Sequence, residues 1–181
     1  MLRTITAGLL AATLTGASFK FELKSADVKA GKEIPMANVF NGMGCTGQNK
    51  SPALEWTGAP SGTKSFAITM YDPDAPTGSG WWHWVIYNIP ATTTSLVAGA
   101  GDAGTAQLPT GAFQGLTDFG TPGYGGPCPP AGSKDHHYTI TVYALNDAHL
   151  DIAANMTPAY VSYIIRSHSL AKASLTAVYK R

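Results

Sequence analysis

The feature that most constrains this chain is a series of short, β-like runs, each closed by glycine or proline. Tyr138-Thr-Ile-Thr-Val-Tyr-Ala-Leu145 is the cleanest. Thr139 and Thr141 share one face and Ile140 and Val142 the other, the period of a half-buried strand. Ser65 to Tyr71 and Trp84 to Ile89 are rich in β-branched and aromatic residues and end at proline-containing turns. Phe19 to Leu23 alternates in the same way, and Ala53 to Trp56 and Ala177 to Tyr179 are shorter candidates. Several short strands split by Gly/Pro turns predict a mainly β sandwich or barrel.

Helix signals gather near the end. Thr157 can cap free N–H groups and Pro158 suits the first helical position. The spacing predicts a helix over 159–167 with Tyr160, Ile164 and Ile165 available for burial, and a second helical stretch around Leu170 to Ser174. The segment from Gly99 to Gly126 is too rich in glycine and too long for an ordinary connection, which reads as a functional loop held against the sheet.

A chain of 181 residues suits one domain with a real core. Charged residues make up only 13% and the net charge is +1, so no long-range field favours nucleic acid or an anionic membrane. An anion recognised here must be held by a few placed donors.

Arg3, the apolar run from Ile5 to Leu14 and the small residues Thr15-Gly16-Ala17 have the order of a secretory leader. The expectation is a signal peptide over 1–17, cleaved near Ala17 or Ser18, ahead of a single domain over 18–181. The alternative is an ordinary buried N-terminal segment. Export places the product in the periplasm or outside the cell, where the pair Cys45 and Cys128 predicts one disulfide. Two buried free thiols are the alternative.

Three pieces carry chemistry. Asp72-Pro-Asp-Ala-Pro76 follows a strand, and its prolines make a rigid turn able to aim carboxylates. In Trp81-Trp-His-Trp84, regular alternation puts Trp81 with His83 on one face and Trp82 with Trp84 on the other. The Gly/Pro-rich run 123–132 leads into His136-His-Tyr138, where His136 and Tyr138 share a face and His137 points away. Singly, each piece has a turn or packing explanation. Together they offer an apolar wall and a few convergent polar groups, the make-up of a small-molecule pocket.

These motifs, with Phe40 to Gly47 and Ser51 to Leu54, resemble the phosphatidylethanolamine-binding proteins, also called Raf kinase inhibitor-like proteins, in their bacterial branch. The resemblance implies an antiparallel β-sandwich with one or two C-terminal helices. It also implies a pocket for phosphate-like or carboxylate-like anions, such as a phosphoethanolamine headgroup. By motif, Asp72, His83, His136 and Tyr138 line that pocket, and Trp81, Pro129 and Pro130 shape its walls. Gly126 falls where the loop passes the ligand, and Asp74 and Pro76 support the turn. His137 departs from the family, where arginine is frequent.

Asp72 repels an anion unless an imidazolium at His83 or His136, or a ligand ammonium, offsets its charge. Anion affinity is therefore expected to fall as pH rises through the histidine range. No cofactor is implied, and no metal is assigned. No Gly-x-Ser-x-Gly elbow or His-Glu-x-x-His pair points to an enzyme. The reading is an exported, non-catalytic binding protein. The alternative is a regulator or inhibitor, of a protease for example, whose pocket acts as a switch. A protein partner or a homodimer is compatible with either.

Overall fold

The computed structural model describes residues 20–104 and 107–181, so the expected leader lies outside the described residues. The strands are β1 (Glu22–Lys24), β2 (Asn41–Gly42), β3 (Cys45–Thr46), β4 (Leu54–Thr57), β5 (Ser65–Asp72), β6 (Trp81–Pro90), β7 (Ser95–Leu96), β8 (Phe113–Gln114) and β9 (His136–Leu145). The helix α1 (Pro158–Ser167) and the strand β10 (Ser169–Tyr179) complete the chain. A five-stranded sheet has the order β10-β9-β5-β6-β8 and a three-stranded sheet the order β1-β4-β7, while β2 and β3 form a small hairpin. Every pairing of these strands is antiparallel.

The alternation read in the sequence builds the core. Phe66, Ile68 and Met70 of β5 and Ile140 and Val142 of β9 face Leu23, Leu54, Trp56 and Leu96 of the smaller sheet. Complete burial of such side chains stabilises the fold by roughly 1.5–3 kcal/mol each. The other face of the large sheet packs Ala67, Val85, Tyr87 and Tyr143 against Val161 and Ile165 of α1.

The helix starts as expected: Thr157 accepts a hydrogen bond from the Tyr160 N–H at 3.3 Å, and Pro158 opens the first turn. Val161 and Ile165 are its buried pair, and Tyr160 is 48% exposed rather than inward. The second helix is corrected. Residues 169–179 are β10, paired with β9 along its length, with Ala173, Leu175, Ala177 and Tyr179 buried in alternation. Its Leu-Ala-Lys-Ala stretch has helical propensity, but an edge position beside β9 decides its state.

Trp84 is a second correction. Met70 pairs with Trp84 and Tyr71 with Trp82, so the register shifts and His83 is the extra residue of a β-bulge. Trp84 therefore joins Met70 and Ile86 in the inter-sheet core. Trp82 packs its ring tilted against Tyr71, with centroids 4.4 Å apart, on the outer face.

Candidate functional site

Antiparallel pairing brings the end of β5 and the starts of β6 and β9 together at one end of the large sheet. Asp72, Trp81, His83, His136 and Tyr138 thus line one cavity of about 240 Å³. The loop from 118 to 130 closes it with Phe119, Cys128, Pro129 and Pro130, while Ala75, Pro76 and Thr77 form another side. Met43 and Arg181 complete the rim.

Asp72 is 2% exposed, which would be costly for an unpaired carboxylate. Its Oδ2 accepts a hydrogen bond from His136 Nδ1 at 2.7 Å, and its Oδ1 accepts one from the Asp74 N–H at 2.8 Å. Asp74 in turn accepts from both the backbone N–H and Nδ1 of His137 at 2.8 Å. Those hydrogen bonds hold the Asp74 carboxyl below the usual range. The proline turn is tied to β9 twice, through a buried pair and an exposed one.

His83 is held differently. Its Nδ1 donates to the Gly125 carbonyl at 2.7 Å. Burial outweighs that hydrogen bond and the attraction of Asp72, and lowers its pKa to about 4. His83 is therefore neutral at neutral pH, with its proton on Nδ1, and cannot serve as the imidazolium offered against Asp72. His136 stands directly on that carboxylate. The ring of Tyr138 meets His83 edge-on at 5.1 Å. Its hydroxyl has no hydrogen-bond partner among the described residues, and neither does Trp81 Nε1. Burial first, then the nearby Asp72 charge and the pull of that carboxylate on the hydroxyl proton, push the Tyr138 pKa up.

The bond between Cys45 and Cys128 ties the β2–β3 hairpin to the loop beside the cavity. Among the described residues, no three His, Cys, Asp or Glu side chains cluster as metal ligands. No described helix is long and apolar enough to cross a membrane.

A model of the phosphatidylethanolamine-binding proteins matches residues 24–180. The chain belongs to the phosphatidylethanolamine-binding protein family. It is 48% identical to the UPF0098 protein YbcL of Escherichia coli over 93% of this chain and 92% of the relative. The E. coli UPF0098 protein YbhB is 49% identical over 87% of this chain and 99% of the relative. The crystal structure of E. coli YbcL superposes with a TM-score of 0.87 at 50% identity, covering 89% of this chain and 98% of that one.

In this phosphatidylethanolamine-binding protein, Gly126 is not among the cavity-lining side chains, although its backbone lies against the His83 ring. Its N–H donates to Asn49 Oδ1 at 2.8 Å. A Cβ there would overlap the backbone of Asn38 and Phe40, so glycine is required for packing. Four residues escaped sequence reasoning: Phe119, which meets the rings of Trp81 and His83 edge-on, together with Met43, Asn49 and Arg181. Phe119 sits in a long loop with no periodicity, and Arg181 is distant in sequence from every motif. Only Asn49 left a local trace, as a residue type that tolerates its positive φ of 52°.

Proposed function

We propose that the cavity binds small phosphate-like or carboxylate-like anions, and that the protein is an exported, non-catalytic binding protein. The observation that carries this reading is the convergence of the Asp72–His136 pair and the Tyr138 hydroxyl, which makes no close hydrogen bond, on a cavity with aromatic and proline walls. Buried polar groups are normally hydrogen-bonded, so a donor left over at a cavity is suited to a ligand oxygen. The name of the family supports a phosphoethanolamine-type headgroup, whose ammonium complements Asp72 while its phosphate takes the donors.

Two features support binding without turnover. The Nδ1 atoms of His83 and His136 are engaged by Gly125 and Asp72, and among the described residues neither ring bonds a hydroxyl or thiol that it could activate. Export is supported by the leader-like order of residues 3–17 and by the disulfide.

Calorimetric titration with inorganic phosphate, phosphoethanolamine and acetate tests the reading. Saturable binding in the wild type, lost in the His83→Ala/His136→Ala double variant while thermal unfolding stays cooperative, is expected. Binding unchanged in that variant would remove the proposed site.

A further inference from the structure

The Cys45–Cys128 bond lies against a cation that has no carboxylate partner. Arg181 Nη1 is 3.5 Å from Cys45 Sγ and 3.7 Å from Cys128 Sγ, and it donates to the Met43 carbonyl at 3.1 Å. Among the described residues Arg181 makes no ion pair. The neighbouring charges are spent on each other, Asp72 with His136 at 2.7 Å and Asp135 with Lys180 at 3.4 Å. The chain is shaped to bring the guanidinium there. The Gly132 N–H donates to the Arg181 main-chain oxygen at 2.7 Å, which pins the backbone. In the turn between β2 and β3, Met43 and Gly44 both have positive φ, 51° and 82°. A Cβ at Gly44 would stand 2.9 Å from Nη1, so glycine serves the turn and also leaves room for the guanidinium.

The two sulfurs differ in access. Cys45 is 6% exposed and belongs to the inter-sheet core, whereas Cys128 is half-buried and lines the cavity. A disulfide opens when a thiolate attacks one sulfur and the other leaves with the electron pair, and a thiol of lower pKa leaves faster. An adjacent arginine lowers a thiol pKa. From this asymmetry we infer that the Cys45–Cys128 bond is a thiol-exchange site, attacked at Cys128 and activated by Arg181, which holds the departing Cys45 thiolate. This chemistry is independent of what the cavity binds.

The co-reactant is an external dithiol. One of its thiolates bonds to Cys128 Sγ, the Cys45–Cys128 bond breaks, and Cys45 leaves as a thiolate against the guanidinium. The second thiolate attacks the dithiol's own sulfur in the mixed disulfide and releases Cys128. The dithiol ends oxidised and the protein bond reduced by two electrons, and the two protons given up by the dithiol pass to the cysteines. The reverse sequence, with an external disulfide, closes the bond. Opening frees the β2–β3 hairpin from residue 128, while the Phe40 N–H still donates to the Pro127 carbonyl at 3.1 Å.

The test follows reduction of the folded, oxidised protein by dithiothreitol at neutral pH, read as thiol release, in wild type, Arg181→Gln and Arg181→Lys. Arg181→Gln should slow the reaction about three- to tenfold, and Arg181→Lys should recover part of that loss. Molar sodium chloride should slow the wild type and leave Arg181→Gln unchanged. After brief exposure of wild type to limiting glutathione and an acid quench, mass spectrometry should find the adduct on Cys128. An equal or faster rate in Arg181→Gln overturns the inference, because an arginine that only braces the loop would guard the bond. Glutathione on Cys45 overturns the direction of attack and the inference with it. A wild-type rate that rises with urea in step with global unfolding also overturns it, because the bond would then open only in the unfolded chain.

Discussion

His83 and Gly125 hold each other reciprocally: the imidazole Nδ1–H donates to the Gly125 carbonyl at 2.7 Å, and the Gly125 N–H donates to the His83 carbonyl at 2.9 Å. A bulged residue of β6 and a remote loop thereby become one unit. Two glycines of the loop are required because its backbone there runs flush against aromatic rings. A Cβ at Gly101 would overlap Trp84, and one at Gly125 would overlap Phe119.

Gly125→Ala should therefore destabilise the protein by about 1–3 kcal/mol, the range for overpacking a filled site. Urea unfolding measures this. The same variant should lose anion affinity, since Phe119 and His83 must shift to admit the methyl group. Wild-type stability would mean that the loop yields freely.

Stability should also depend on pH through His83. Its pKa is about 4 in the folded protein, against 6.5 for a free histidine. The unfolded chain takes up the proton first, so this contribution is present above pH 6.5 and is lost as pH falls through about 4. Its full size is on the order of 3 kcal/mol. Comparing chemical unfolding of wild type and His83→Gln between pH 7 and pH 4 isolates it. The gap between them should narrow toward acid.

Tyr138→Phe should separate stability from function. The hydroxyl makes no close hydrogen bond and only leans toward Asp72, so its removal should change the stability of the free protein by no more than about 1 kcal/mol. Phosphate affinity should drop several-fold in the same variant. A loss of stability would show that the hydroxyl is satisfied without ligand.

The bond between Cys45 and Cys128 spans a sequence separation of 83 residues. Its removal, as Cys45→Ser with Cys128→Ser, should cost about 2–5 kcal/mol by freeing the unfolded chain. Cys128 also lines the cavity, so anion affinity should weaken with stability. Thermal unfolding and titration of the same sample read both effects.

Much of this was legible in the chain itself. The period-two pattern of residues 138–145, the capping pair Thr157-Pro158 and the rigid turn at 72–76 are local properties. So is the shared face of His136 and Tyr138, which strand alternation alone dictates. Trp84, residues 169–179 and Gly126 were decided elsewhere. One inserted residue at His83 turns Trp84 inward, and pairing with β9 makes a strand of a helix-prone segment. Close approach of the 38–40 backbone demands glycine at 126. The charge of His83 likewise belongs to the folded molecule. Sequence supplies a histidine near the start of a strand, but only burial and the Gly125 carbonyl decide that its ring is neutral and which nitrogen carries the proton. Local pattern is written by side-chain order along one strand; register, desolvation and tautomer depend on groups that meet only after the strands pair.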